Sequence, residues 1–164
     1  MDPMESMTQN VGPIPAGFNP EEAGNMEDME KQFAVKVVQH MQTYWSILER
    51  VKGSTLRLTK MDDEIYAHLM TAFPEFDAAA VVDEDVMKSK TGKERWRNFM
   101  MTYEKLVEDF NFGTMVRNSH LVDYEEDTTI FVPRMQFYAI EIARNKKGLN
   151  DWIYEKAQAE KEKK

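Results

Sequence analysis

The sequence predicts an α+β fold that is mostly α, a helical domain of about five helices with one small antiparallel β-hairpin. Three observations lead to this prediction. The 164-residue chain is 42% hydrophobic, which is enough to bury the core of one domain. Most of its apolar residues recur at spacings of three and four, as on the buried face of a helix. One short segment, residues 127–132, is instead rich in β-branched residues.

We divide the chain into three parts. Residues 1–25 form an acidic N-terminal arm, residues 26–158 a single globular domain, and residues 159–164 a charged C-terminal tail. We expect the arm to be disordered, because residues 1–24 hold four of the six prolines and three of the seven glycines. The arm is either a solubilising tail or an acidic binding segment.

The charge is unevenly distributed along the chain. The first thirty residues contain seven carboxylates and no lysine or arginine. The remainder has 22 acidic and 21 basic residues, so the predicted domain is nearly neutral although the whole chain has a net charge of −8. Proteins that bind nucleic acid normally present a summed positive field. We therefore expect no nucleic-acid partner.

Composition also argues against several other kinds of protein. The absence of cysteine excludes a disulfide scaffold, a thiolate nucleophile, and zinc or iron–sulfur sites with cysteine ligands. No run of eighteen apolar residues could span a membrane, and the first ten residues do not resemble a secretory signal. We expect a cytoplasmic protein that is monomeric and has no membrane partner.

Two helices are predicted in the first half of the chain. The first covers about residues 27–52 and stops before Gly53. The second covers about residues 60–73, with Thr59 as its N-cap. Acidic residues occupy its first turn, where the helix dipole favours carboxylates.

A third helix follows a transitional stretch, residues 75–90, which can hold a short helical turn. Thr91 and Glu94 have the spacing of a capping box, in which each side chain hydrogen-bonds the backbone N–H of the other residue. Behind them, apolar residues keep helical spacing as far as Phe110. We predict a helix that starts at this box and continues for four turns.

The predicted hairpin pairs residues 111–119 with residues 127–132. A two-stranded hairpin is marginal alone, so we expect it to lie against the helices. The next stretch, PRMQFYAIEIARNKKG at residues 133–148, could be a strand or a helix. Its four consecutive apolar residues break the alternation of a strand, whereas Pro133 suits a helix start and Gly148 a helix stop. We favour a helix buried on two sides, and a last helix fraying into the charged tail.

The residues offer no recognised catalytic or cofactor site. The glycines are isolated, so no glycine-rich loop can bind a phosphate. The three histidines match no metal-binding spacing, and His68 is best interpreted as a core histidine. Acidic pairs such as Asp62–Asp63 are explained by a helix start. We therefore predict no catalytic residue, no metal and no cofactor.

Two further features are open to a binding role. Residues 92–97, GKERWR, mix bases with an aromatic residue, although one short cluster on a nearly neutral domain is weak evidence for RNA binding. The thirteen methionines could form an adaptable binding surface. Several of them have core spacing, while the roles of Met100 and Met101 stay open.

Three segments of the sequence resemble one family. They are LTKMDDEIYAHL (58–69), KERWRNFMMTYEKLVEDFNFGTMVR (93–117) and TIFVPRMQFYAIEIARNKKGLND (129–151). These segments are similar to the polysaccharide biosynthesis domain-containing, or PBDC-type, family of small eukaryotic cytosolic proteins. The resemblance covers about residues 30–155, nearly the whole predicted domain.

The resemblance implies a chaperone rather than an enzyme. Fungal and animal members of this family are associated with the biogenesis of translation elongation factor one-alpha, whose nascent GTP-binding domain they are thought to guard until it folds. We therefore expect a non-enzymatic protein with this partner. The alternative, implied by the family name, is a glycan-modifying or methyltransferase-related protein of polysaccharide biosynthesis. A third possibility is a generic scaffold with several partners.

Candidate partner contacts are polar or aromatic residues without an obvious core role. Arg134 stands at a helix start, where a cation is electrostatically unfavourable, although it could pair with Asp109 or Glu141. Other candidates lie on the expected polar side of the 133–148 helix or flank the hairpin. The full set is Arg134, Gln136, Arg144, Asn145, Asn111, Phe112 and Arg117.

Overall fold

A computed structural model describes residues 23–163 of the chain. Most of the predicted N-terminal arm lies outside the described residues. Within them, the mostly α, α+β prediction is confirmed. The helices are α1 (Ala23–Arg50), α2 (Asp62–Ala72), α3 (Glu84–Met87), α4 (Lys90–Met101), α5 (Arg134–Lys146) and α6 (Asp151–Glu162), with a 3-10 turn at Gly53–Thr55. The strands are β1 (Gly113–Arg117) and β2 (Thr129–Pro133).

Helix α5 forms the centre of the domain. It contacts α2, α4, the 3-10 turn and both strands, so ten of its thirteen residues are buried. Gly148 ends it with a φ of +69°, a conformation that glycine adopts at little cost. The Gly148 N–H donates to the Asn145 carbonyl and the Leu149 N–H to the Arg144 carbonyl, both at 3.0 Å, as in a Schellman motif. The predicted helix and its stop are confirmed.

The two strands pair antiparallel, with Gly113 opposite Pro133 and Arg117 opposite Thr129. They are shorter than the segments predicted for them. Strand β1 is buried along almost its whole length because it contacts both α1 and α5. Pro133 ends β2 and is also the N-cap residue of α5, so strand and helix join without a loop. The hairpin therefore lies against the helices, as expected.

The third predicted helix is shorter than its apolar spacing indicated. Helix α4 ends at Met101, and residues 102–112 form irregular turns, with Asp109 at a φ of +57°. Tyr103, Val107 and Phe110 are nevertheless buried in the core. The spacing thus predicted which side chains are buried, but not the backbone conformation that buries them.

Helix α2 starts differently from the prediction. It begins at Asp62, and Thr59 is not its N-cap. The Asp62 carboxylate instead accepts hydrogen bonds from the backbone N–H groups of Leu58 (2.8 Å) and Thr59 (2.7 Å). The Thr59 hydroxyl also donates to Asp62, at 2.6 Å. These bonds close a turn in front of the helix.

The two terminal helices reach into the parts of the chain predicted as arm and tail. Helix α1 begins at Ala23, inside the predicted arm, and α6 extends to Glu162, inside the predicted tail. The two helices pack against each other. Helix α1 buries Val37, Tyr44 and Leu48, one face of the predicted pattern.

The N-cap of α4 is Ser89 and not Thr91. The Ser89 hydroxyl accepts a hydrogen bond from the Gly92 N–H at 3.1 Å, and Thr91 lies inside the helix. A Cβ at Gly92 would lie 2.3 Å from the Val86 carbonyl oxygen, so α3 and α4 approach closely there. A side chain at this position would therefore clash with the backbone of α3.

We expect the Ser89→Ala change to destabilise the protein by about 1 kcal/mol, because one backbone N–H at the helix start loses its acceptor. The matched change Thr91→Ala should alter stability by less than about 0.5 kcal/mol. Urea unfolding of both variants measures the difference. A larger loss for Thr91→Ala would mean that the capping box operates after all.

Candidate partner-binding surface

A buried ion network occupies the interior beside α5. The Glu141 carboxylate binds two guanidinium groups, with Arg117 Nη2 at 3.2 Å and Arg144 Nη1 at 2.7 Å, and all three side chains are 0% exposed. Burial alone would raise the pKa of Glu141. The charges of Arg117 and Arg144 outweigh it and hold that pKa at about 2. Glu141 is therefore ionised at neutral pH.

Neutral side chains extend this network to other elements. The Tyr44 hydroxyl of α1 donates to Glu141 at 2.8 Å, and the Asn150 amide donates to it at 3.0 Å. Arg117 Nη1 donates to two carbonyl oxygens of the segment after β1, each at 3.0 Å. The network thus ties α1, β1, α5 and the start of α6 together.

Gly53 closes the network on the side of the 3-10 turn. A Cβ at this position would lie 2.4 Å from Asn145 Oδ1. That oxygen accepts a hydrogen bond from the Asn150 amide at 2.8 Å, while the Asn145 amide donates to Tyr44 at 3.1 Å. Only a residue without a side chain allows this close approach.

Three of the predicted partner contacts belong to this network. Arg117 and Arg144 are 0% exposed and Asn145 is 3% exposed. The expectation that Arg144 and Asn145 lie on a polar, exposed side of the helix is wrong, because α5 is covered on that side too. In this conformation the three residues present no surface to a partner. The sequence contained one signal for this buried ion pair, because Glu141 and Arg144 are three residues apart in a helix that is otherwise largely apolar.

Arg134 and Phe112 contact each other at the edge of the domain. The Arg134 guanidinium lies 5.3 Å from the centre of the Phe112 ring, and its Nη1 is 3.7 Å from the Asp109 carboxylate. The possible pairing with Asp109 is confirmed, and no pairing with Glu141 is found. These contacts offset the unfavourable position of a cation at the helix start.

The last two predicted residues, Asn111 and Gln136, line one surface groove. This groove, which we call the α4 groove, has a volume of about 680 Å³ and lies between α4 and the hairpin. Gln136 is 5% exposed, and its side chain makes no hydrogen bond to a described residue. Most of the lining is basic or apolar: Lys88, Lys93, Arg97, Trp96, Met100, Met101, Phe110 and Phe131.

A second, more apolar groove of about 430 Å³ lies between α1 and the hairpin. Phe131 lines both grooves, and its ring centre is 5.8 Å from that of Phe33. A Cβ at Gly113 would lie within 3 Å of both rings, so this glycine lets them pack over the strand. The two grooves are therefore neighbours separated by one aromatic side chain.

The histidines have packing contacts rather than a common ligand site. Burial, and then the charge of Arg134, lowers the pKa of His40 to about 4. His68 hydrogen-bonds the Tyr103 hydroxyl at 2.8 Å and its ring packs on Phe99. Between residues 23 and 163, no group of three histidine or acidic side chains could hold a metal ion.

In the same range, no helix is both long and apolar enough to cross a bilayer.

The fold and these features define a class, a small and mostly helical α+β domain held by a buried ion network and carrying a mixed basic and apolar groove. The chain belongs to the PBDC1 protein family, whose model matches residues 29–155. The resemblance predicted from the sequence is confirmed.

Curated relatives and one solved structure agree with this assignment. The chain is 58% identical over 136 residues to the Protein PBDC1 homolog of Schizosaccharomyces pombe, which covers 81% of this chain and 92% of that one. It is 42% identical over 134 residues to human Protein PBDC1, covering 82% of this chain and 57% of the human protein. A solution NMR structure of a Saccharomyces cerevisiae protein has 53% identity and a TM-score of 0.73, covering 86% of this chain and 99% of that chain.

Proposed function

We propose that this chain is a cytoplasmic binding protein that chaperones newly synthesised translation elongation factor one-alpha. Its client is the nascent GTP-binding domain, which it holds until that domain folds. The family membership supports this proposal, through the role associated with fungal and animal members.

One structural observation carries the proposal, namely the α4 groove. A chaperone of this kind needs an exposed surface that can hold a segment of its client, and it needs no catalytic residue. The groove is open, and Met101 (47% exposed) and Phe131 (38% exposed) offer apolar surface within it. Methionine is unbranched and adapts to differently shaped partners.

The test is cell-free synthesis of the GTP-binding domain in the presence of the tagged, purified chain. We expect the domain to be recovered with the chain soon after synthesis and to be released once it has folded and bound nucleotide. An unrelated small GTPase, made in the same extract, is the matched control. Equal recovery of both proteins, or recovery of only the mature factor, would overturn the proposal.

The purified chain also allows a test of the enzymatic alternative. The chaperone proposal requires that S-adenosylmethionine and nucleotide sugars leave the melting temperature of the chain unchanged. Saturable stabilisation by either ligand, which binding to the folded state would produce, would support the glycan-related alternative instead.

A further inference from the structure

The α4 groove differs in charge from the chain as a whole. The chain has 29 acidic and 21 basic residues, yet three cations and no carboxylate line this groove. Lys88 forms an ion pair with Glu84 at 3.0 Å. The side chains of Lys93 and Arg97 have no ion-pair or hydrogen-bond partner within residues 23–163. Two cations without counter-charges favour an anionic occupant.

The groove is also apolar at its base. Trp96 and Phe110 lie there nearly buried, at 6% and 5% exposure, while Met101 and Phe131 remain open to solvent. A free anion would leave these apolar groups uncovered. An occupant with its own apolar side chains would bury them, which is the arrangement found at the centres of protein interfaces.

Gln136 supplies a third and independent observation. The residue is only 5% exposed, but the polar atoms of its amide reach the groove, and they have no hydrogen-bond partner among the described residues. An amide that faces the groove without a protein partner can donate a hydrogen bond to an occupant and accept one from it. An occupant that offers a polar group at this point would satisfy it.

We propose that the α4 groove is the docking site for an acidic segment of a protein partner, anchored by apolar side chains in the manner of an amphipathic helix in a groove. Carboxylates of the segment pair with Lys93 and Arg97, and its apolar side chains cover Met101 and Phe131. An RNA occupant is disfavoured because Trp96 is too buried to stack on a base.

This inference deepens the proposed function and rests on it only for the identity of the partner. Its first test therefore uses a designed probe, a synthetic helical peptide with leucines on one face and glutamates on the other. A peptide with lysine in place of each glutamate is the matched control. Binding to the full ¹⁵N-labelled chain is followed by NMR.

We expect chemical-shift changes in α4 and at Phe131 and Gln136, and at least about tenfold tighter binding of the acidic peptide. Equal binding of the two peptides would overturn the proposal, as would shift changes confined to another surface. Tighter binding of a short oligouridylate than of the acidic peptide would overturn it in favour of a nucleic-acid site.

Paired variants test whether the groove itself is responsible. Lys93→Glu with Arg97→Glu should weaken binding of the acidic peptide at least about tenfold. The control, Lys60→Glu with Lys156→Glu, makes the same change in net charge at exposed positions outside the groove and should have little effect. Equal weakening by both pairs would show a general charge effect and overturn the proposal.

A second pair tests the apolar contact without changing charge. Met101→Ser should weaken binding about fivefold, because a half-exposed anchor surface is lost. Leu106→Ser, at a position that is 59% exposed and outside the groove, is the control and should change nothing. All the substituted side chains are exposed, so the variants should keep the fold. Equal binding by the two serine variants would contradict the apolar anchor.

The same charge variants separate this inference from the proposed function when the elongation factor domain replaces the peptide. If the domain binds the wild type and the Lys93→Glu, Arg97→Glu variant equally well, the groove is not its docking site, although the chaperone proposal stands. If the domain does not bind the wild type while the acidic peptide still occupies the groove, the chaperone proposal fails and the docking site stands.

Discussion

Replacing Glu141 with glutamine is expected to lower the free energy of unfolding by about 3–5 kcal/mol, among the largest effects of any single change in this protein. The substitution keeps the shape of the side chain but removes the charge that Arg117 and Arg144 share. Both guanidinium groups are fully buried, so each would keep its positive charge away from water without a counter-ion. Urea unfolding monitored by circular dichroism measures the loss.

The control for this prediction is Glu155→Gln on α6, where the carboxylate is exposed. Its removal should change stability by less than about 0.5 kcal/mol. A loss below about 1 kcal/mol for Glu141→Gln would contradict the prediction, because it would mean that water reaches the network or that the arginines reorient to solvent.

The same carboxylate predicts a pH dependence of stability. Arg117 and Arg144 hold the pKa of folded Glu141 at about 2, against an ordinary value of 4.5. Because the folded pKa is the lower one, the stabilisation is present above about pH 4.5 and is lost as the pH falls towards 2. The difference in stability between wild type and Glu141→Gln should therefore shrink across this interval. A constant difference would contradict the assignment.

The change Phe137→Ala should cost a similar amount, about 3–5 kcal/mol, through a different mechanism. The ring is 1% exposed at the contact between α5 and α1. It meets the rings of Tyr44 and His40 edge-on, each with 4.9 Å between ring centres. Removing it leaves a cavity and abolishes both aromatic contacts. Thermal and urea unfolding both report the loss.

Phe131→Ala is the matched control for this second change. Phe131 lies on β2, just before α5, and is 38% exposed, so its truncation should cost only about 1 kcal/mol. Equal losses for the two alanine variants would show that α5 is not the centre of the core. The Phe131 variant is also expected to weaken docking in the α4 groove.

Helix α5 could be predicted from sequence because its signals are local. Pro133 stands at its start and Gly148 at its stop, and the apolar residues between them do not alternate. Each of these signals acts within a few residues of the position it decides. The same is true of the β-branched segment that forms β2.

The two ends of α4 were not predicted correctly, and both lie where the chain packs against other parts of the fold. Thr91 had the spacing of a capping box, but Ser89 is the N-cap, and Gly92 lies against the backbone of α3 in the first turn. At the other end, the turns after Met101 bury Tyr103 and Phe110 as well as a helix would. Hydrophobic spacing predicts which side chains are buried, but it does not distinguish a helical backbone from a series of turns.

The candidate site was predicted only in fragments. The sequence drew attention to GKERWR and to Met100–Met101, but only the fold brings them beside Phe131 and Gln136. The pair of Glu141 and Arg144 could have been recognised from its spacing of three, whereas Arg117 and Tyr44, which also bind Glu141, are distant along the chain. Of the two ion pairs predicted for Arg134, the structure shows the one with Asp109, while its role as a partner contact stays a prediction.

The network also affects when the protein can fold during its synthesis. The Tyr44 hydroxyl finds its acceptor 97 residues later, at Glu141, and its donor 101 residues later, at Asn145. Contacts so far apart in sequence slow folding relative to a bundle of neighbouring helices. Until α5 is synthesised, the apolar faces of α1, α2 and α4 have no common core to pack against. We therefore expect the native domain to form only after nearly the whole chain has left the ribosome.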